Sequence, residues 1–325
     1  MLQGGMGIAI DRGFAALLRF ECSHSHTNEK RGPAWGAAKD REAAMTLHRP
    51  ESLEDALALL AGDAPRVLAG GTDLYPALQD GPAPAALLDI TRIKGLCGIT
   101  RMDDGWRIGA TTRWSDICAA DLPPCFDGLK QAGAEVGSIQ IQNAGTIAGN
   151  ICNASPAADG VPPLLVLDAI VELAGAGGVR HLPLADFILG PRRTALRDAE
   201  IVTALMVPDR AGQGAFLKLG ARRYLVISMA MVAARVAMDG GKIADLAVAV
   251  GACGPVAARL PELEAVLTGC ALADVADIVE GIPLPQIAPI DDVRASATYR
   301  EEAACGLIVR AITQAAQASE QSHVA

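Results

Sequence analysis

Two glycine-rich segments constrain most tightly what this chain can fold into. The stretch "VLAGGTDL", Val67 to Leu74, puts Gly70, Gly71, Thr72 and Asp73 directly after an apolar run. The stretch "QNAGTIAGNICNASPAADGVPPLL", Gln142 to Leu165, is crowded with Gly, Asn, Ser, Thr and Pro. These residues are costly in a helix and predict a loop with many exposed backbone donors. Neither segment is GxGxxG or GxxxxGK[ST], so neither matches a Rossmann or P-loop phosphate site. Consecutive N–H groups in a glycine turn still make an anion-binding concavity, and a missing Cβ lets phosphate approach the backbone. Two such segments, far apart in sequence, can converge on one extended anionic ligand. Thr72 and Thr146 would then add hydroxyl donors, and Asp73 and Asp159 would accept from ribose or ribityl hydroxyls. Each segment taken alone also reads as an ordinary turn.

Around them the chain alternates strand and helix, a pattern of α/β or α+β layers. Ser52 precedes Leu53, Ala56, Leu57 and Leu60 at i, i+3, i+4, i+7 spacing, with Glu54 and Asp55 in the first turn, which predicts an N-capped amphipathic helix. "RVLAGG", "AALLDITRI", "GWRIGA" and "AEIVTALMVP" read as strands, and "GLKQAGAEVGS" as a helix. After Pro208 the texture changes. "GAFLKLGARR", "ISMAMVAARVAM" and "KIADLAVAVGACG" predict a β-meander, with Gly240-Gly241 as one turn, and the helices "LPELEAVLTG" and "TYREEAACGLIVRAITQAAQ" follow. The second helix carries Ala303, Leu307, Arg310 and Ala311 on one stripe. A domain therefore spans residues 45–212 and a smaller one residues 213–318. Residues 1–44 have no helical or strand period and read as a disordered extension or a start assigned too early. The tail, 319–325, is expected to fray.

The chain's 325 residues are 51% hydrophobic and 20% charged, enough apolar material for two cores. A net charge of −9 with only 3% aromatic residues disfavours nucleic acid, whose backbone attracts basic surfaces and whose bases stack on aromatic rings. No apolar run approaches the roughly 20 residues of a membrane helix, so no membrane insertion is expected. With no secretory cleavage pattern, a cytoplasmic location is the default. The eight cysteines are scattered and none forms CxxC. They read mostly as buried small apolar residues, and Cys22, His24 and His26 lack a fourth ligand for a metal.

In order along the chain, "LAGGTDL", "NAGTIAGNICNASPAAD", "FILGPRRTAL", "EIVTALMVP", "FLKLGARR" and "ATYREEAACGLIVRAI" resemble the FAD-binding medium subunit of the molybdenum hydroxylases. That is the family of xanthine, aldehyde, nicotinate and carbon monoxide dehydrogenases. The resemblance covers Met45 to about Ala316. It implies an α+β fold: a two-lobed FAD domain of the vanillyl-alcohol oxidase-like (PCMH) type, then a small domain with a three-stranded antiparallel sheet and helices. It further implies FAD on this chain, with molybdopterin and two [2Fe-2S] clusters on partner subunits in a heterotrimer that passes electrons to NAD or another acceptor. Carried over by residue, Leu68, Ala69, Gly70, Gly71, Thr72, Asp73 and Leu74 would wrap the pyrophosphate. Thr146, Ile147, Ala148, Gly149 and Asn150 would form the second FAD loop, with Gly137 just before it. Asp159 would be an acidic FAD contact, Ile201 would pack near the isoalloxazine, and Lys218 would place a cation beside the flavin.

Two positions depart from the family pattern: Gln142 stands where arginine is usual, and Ala148 where glycine is usual. The segment "GPRRTAL" leans towards the xanthine branch. No residue need act as a catalytic acid, base or nucleophile, since the flavin carries the redox chemistry. Two rivals are a free-standing FAD-dependent oxidase, which needs its own acid-base groups, and a scaffold that has lost FAD. Three of the five histidines, His24, His26 and His323, lie near the ends of the chain, and the glycines at 70, 71, 145 and 149 are intact.

Overall fold

The computed structural model describes residues 45–78 and 84–324. The readings made for residues 1–44, Cys22, His24 and His26 among them, lie outside the described residues.

Helix α1 (Leu53–Gly62) starts where predicted: Ser52 is extended at φ −120, ψ 153, and its hydroxyl accepts from the Asp55 N–H at 3.1 Å. The apolar stripe then does its expected work, burying Ala56 and Leu60 with Leu88, Ile90, Ile93 and Leu96. Beside it lies a small parallel sheet in which β3 (Ala86–Asp89) runs between β1 (Thr46–His48) and β2 (Arg66–Leu68). The first glycine segment leaves the end of β2.

A second sheet is antiparallel, in the order β4 (Ile99–Met102), β5 (Gly105–Gly109), β10 (Ile201–Pro208), β6 (Ile170–Gly175), β7 (Gly178–Pro183). The near-continuous apolar run of β10 follows from its central place. Ile201 joins the core under α1, while Val202, Leu205 and Val207 join the main core. A short hairpin, β8 (Ile188–Gly190) and β9 (Arg193–Thr194), was not foreseen in the sequence.

The meander forms as predicted from β11 (Gln213–Leu219), β12 (Ala230–Asp239) and β13 (Lys242–Gly251), but the sheet has a fourth, two-residue strand, β14 (Ala258–Arg259), on β13. So short a pairing leaves no periodic signal in sequence. Residues 230–236 of β12 are all buried because both faces are covered. With side chains alternating across a strand, Val232, Ala234 and Val236 join Leu307, Ile308 and Ile312 of α11 (Ala297–Val324), while Met231 and Ala233 join the main core. The buried stripe of α11 is Ala304, Leu307, Ile308, Ala311, Ile312 and Ala315. Arg310, expected on that stripe, is exposed, and the helix continues to Val324 through the tail expected to fray.

The main core is continuous between the sheets: α4 (Asp127–Glu135) and the wholly buried α7 (Val161–Val166) share it with β12 and β13. Two arginines, one buried and one half-buried, satisfy the polar groups left there. Arg235, 3% exposed, donates to the carbonyls of Val166 at 3.0 Å and Ala211 at 2.9 Å and pairs with Asp245. Arg259 bridges Asp168 and Glu264 and donates to the Leu165 carbonyl at 3.1 Å.

Among the seven described cysteines only Cys125 and Cys253 are buried, and Cys97 and Cys152 are exposed, so the expectation of mostly buried thiols is corrected. Cys118, Cys270 and Cys305 are half-buried. Burial pushes the Cys125 and Cys253 thiols up to about 11. Among the described residues no helix is long and apolar enough to cross a membrane, and no group of His, Cys, Asp and Glu could hold a metal ion.

Candidate cofactor-binding site

The two glycine segments do converge. Gly70 lies so close to the second segment that a Cβ built on it would stand 2.0 Å from the Ala144 carbonyl oxygen and 3.0 Å from the Gly145 Cα. Only glycine permits this backbone-on-backbone contact. Thr72 is next to Gly145, and Asp73 accepts a hydrogen bond from Asn153 Nδ2 at 2.7 Å. Gly71 adopts the left-handed φ of +71, and a Cβ there would meet the Tyr75 ring at 2.5 Å. The backbone N–H groups of Gly70, Gly71, Thr72 and Asp73 have no acceptor among the described residues. The first segment is therefore a loop with exposed donors, as predicted.

The second segment is not. Thr146 to Asn150 belong to a short helix, α6 (Ile147–Asn153), which Thr146 caps by accepting from the Gly149 N–H at 3.1 Å. Its other early amides are also taken: Ile147 donates to the Thr112 carbonyl at 3.0 Å, Ala148 to Ala110 at 3.2 Å and Asn150 to Thr146 at 3.1 Å. Low helix propensity is overridden because Ile147, Ala148 and Ile151 are buried in the main core. Side chains replace free amides on this wall of the site. Asn150 and Asn153, three residues apart, are helical neighbours: Asn153 reaches Asp73, while the buried Oδ1 of Asn150 lies against Gly160 with no partner among the described residues.

Asp159, beside Gly160, is the expected acidic FAD contact and Lys218 the expected cation beside the flavin. The structure bonds the two to each other, Lys218 Nζ to Asp159 Oδ2 at 2.6 Å, with both side chains under a tenth exposed. Ser228 Oγ donates to the other Asp159 oxygen at 2.6 Å. Burial pushes the Asp159 carboxyl up, and the Lys218 ammonium and Ser228 hydroxyl pull against it. Lys218 is thus no free cation, and Asp159 no free acceptor; burial made a lone charge at either position too costly. Ser228 had no sequence signal to single it out. A cleft of about 610 Å³ opens beside this pair, lined among others by Gln131, Glu135, Lys218, Arg222, Arg223 and Gln314; neither glycine segment lines it.

Other expected residues fall elsewhere. Ile201 is 2% exposed and packs in the core under α1. It is the first residue of the central strand β10, where the core under α1 takes an apolar side chain. Gly137 makes the turn into α5 (Ile139–Gln142) at φ +57, where a Cβ would press on Ile141. Leu68 and Leu74 are buried with Leu87, anchoring the two ends of the first loop. Gln142, in place of the usual arginine, donates to the Ala134 carbonyl at 2.9 Å and so ties α5 to α4. Arg192, on the unforeseen hairpin, holds the end of α6 through the carbonyls of Asn153 at 3.2 Å and Ala154 at 2.9 Å.

A family model described as the FAD binding domain in molybdopterin dehydrogenase matches residues 43–210, and one described as the CO dehydrogenase flavoprotein C-terminal domain matches residues 215–315. The chain belongs to the FAD-binding subunits of the molybdenum hydroxylase family. It is 36% identical over 274 residues to the glyceraldehyde dehydrogenase medium chain of Sulfolobus acidocaldarius, covering 82% of this chain and 97% of that one. It is 30% identical to the xanthine dehydrogenase FAD-binding subunit of Escherichia coli O157:H7, over 78% of this chain and 90% of that one. Among solved structures, reconstituted CO dehydrogenase from Oligotropha carboxidovorans superposes with a TM-score of 0.77 at 30% identity, covering 85% of this chain and 98% of that one.

The residues of this FAD-binding subunit fit the cofactor. The free amides of 70–73 offer a pyrophosphate its donors, the cradle at Gly70 would be filled by any Cβ, and Asn150 keeps a buried polar atom unmatched. Thr146→Ala removes the cap of α6 and is expected to lower stability by about 1 kcal/mol, with Thr146→Ser restoring it. A urea midpoint unchanged in Thr146→Ala would show that the cap contributes nothing.

Proposed function

We propose that this chain is the flavin-carrying medium subunit of a molybdenum hydroxylase complex, passing electrons from [2Fe-2S] clusters through FAD to NAD or another acceptor. The observation that carries the reading is the Gly70–Ala144 contact, which shapes one amide-lined cradle from two distant segments. Gly70, Gly71, Thr72 and Asp73 bind the pyrophosphate, and Asn153 keeps Asp73 turned to α6. Asn150 gives the cofactor a side-chain contact further along the same helix. Lys218, beside the cleft, presents the ammonium end of a neutral pair rather than a full charge. When bound, FAD supplies redox chemistry that can exchange one or two electrons. The protein's part is to hold it, orient it and set its electrostatics.

Partners follow from the same reading: a molybdopterin-binding large subunit and a [2Fe-2S] small subunit, in a heterotrimer. Relatives named for glyceraldehyde, xanthine, nicotinate and carbon monoxide match at 30–36% identity, so the weight "GPRRTAL" gives to xanthine is slight and the substrate is chosen on the large subunit. A free-standing oxidase needs an acid-base group at the flavin, yet His48 and His181 stand on β1 and β7, outside both glycine segments.

The test is the visible spectrum of the full chain purified alone. Flavin bands without iron–sulfur absorption are expected, and co-expression with a molybdopterin-binding and a [2Fe-2S] subunit of the same organism should yield a complex showing both. A colourless chain that takes up no added FAD would overturn the reading.

A further inference from the structure

Behind the Asp159–Lys218 pair lies a buried guanidinium that makes no contact with it. Arg300, in the first turn of α11, is 4% exposed. Its Nη1 donates to the carbonyls of Met229 at 2.7 Å and Ala252 at 3.2 Å, and its Nη2 meets Asp292 Oδ1 at 2.6 Å. The Nε is buried with no partner among the described residues. Removing a charge from water is expensive, and an apolar side chain of similar volume would pack α11 without that penalty. The segments it holds give the charge a reason.

Two of them touch the pair or a residue near it. The Met229 N–H donates to the Leu219 carbonyl at 2.8 Å, one residue beyond Lys218. Ser228, just before Met229, donates to Asp159 Oδ1 at 2.6 Å. The Ala252 N–H donates to the Pro156 carbonyl at 2.9 Å, three residues before Asp159, and Ala252 is held at the left-handed φ of +61. One fork of donors thus joins two chain segments beside the charged groups to a third, at Asp292. Asp292 fixes the far side of the fork, and is itself fixed by the N–H groups of Arg294 at 2.8 Å and Ala295 at 3.2 Å.

We infer that Arg300 is a positioning residue for the cofactor site, setting through Met229 and Ala252 where the Asp159–Lys218 pair stands beside the cleft. The inference rests on the reading of this chain as an FAD carrier. A planar fork that serves two carbonyls and a carboxylate has no substitute in lysine, whose ammonium is a point charge.

A double-mutant cycle on the full chain separates positioning from packing, with FAD affinity read by quenching of flavin fluorescence. Arg300→Lys and Asp159→Asn are each expected to weaken FAD by about ten-fold, and the double variant by about ten-fold as well, since both act through one pair. Asp292→Asn, which loosens the same fork from the protein surface, should repeat the pattern if Arg300→Lys fails to fold. A wild-type chain that binds FAD while the double variant loses the product of the single losses, about 100-fold, would overturn the inference and leave the FAD reading intact. So would an Arg300→Lys chain with unchanged affinity. A wild-type chain that takes up no FAD overturns the reading and the inference with it.

Discussion

Gly70→Ala is expected to weaken FAD binding by at least about 100-fold, an overpacking penalty of roughly 3 kcal/mol. The added Cβ would lie 2.0 Å from the Ala144 carbonyl oxygen and 2.7 Å from its carbon. Both neighbours are backbone, so no rotamer change relieves the clash and the two segments must part. The cradle would open even though every liganding amide is still present. Gly71→Ala, by contrast, meets the ring of Tyr75, an exposed side chain that can swing aside, and carries mainly the left-handed strain of φ +71, roughly 1–2 kcal/mol. It should therefore be the milder variant, by about ten-fold in affinity. Gly62→Ala, with nothing within 4 Å, is the control and should bind as wild type. The measurement is FAD stoichiometry and affinity after reconstitution. Full stoichiometric flavin in Gly70→Ala would show that the contact between the segments is incidental to binding.

Lys218→Met is expected to lower stability by about 3 kcal/mol at neutral pH, because it strands a buried carboxylate. Asp159 would keep Ser228 alone as a donor, and its carboxyl, already pushed up by burial, would rise further. The pH dependence has a definite sign. A carboxyl whose folded pKa lies above its unfolded value binds more protons in the folded state, so stability falls as pH rises through that window. The deficit of Lys218→Met against wild type should accordingly shrink on acidification towards the ordinary carboxylate range and be largest above it. Denaturation midpoints across that range decide the matter. A deficit independent of pH would mean that Lys218 acts through its aliphatic stem and not its charge. Replacing both partners, Lys218→Met with Asp159→Leu, should recover much of the loss, since no unpaired charge is left behind.

Where local chemistry and tertiary position agreed, the elements could be read directly. The capping hydroxyl of Ser52, the apolar runs of β12 and β13 and the Gly240-Gly241 turn between them each rest on interactions within a few residues. The first glycine segment was legible for the same reason: nothing but a loop suits "AGGTD" after an apolar run. The second misled because its composition argues against a helix, whereas burial of Ile147 and Ile151 settles the outcome. Propensity is worth tenths of a kcal/mol per residue, and a buried side chain several times that. Ile201 packs in the core under α1, and sequence does not say which apolar residues of a core also face a ligand.

The sequence by itself determined the layers, the cofactor class and one wall of the cradle, because strand period, capping and the ordered series of motifs are local properties of the chain. Only the tertiary structure decided how the charged residues act. Asp159 and Lys218 are far apart in sequence, and whether they serve a ligand singly or neutralise each other depends on a separation of 2.6 Å in a buried place. The same holds for the seat of Gly70 on Ala144, the bond of Asn153 to Asp73 and the reach of Arg300 to Met229 and Ala252. Electrostatic and steric energies change steeply over an ångström, and no pattern in a linear sequence fixes distances that finely.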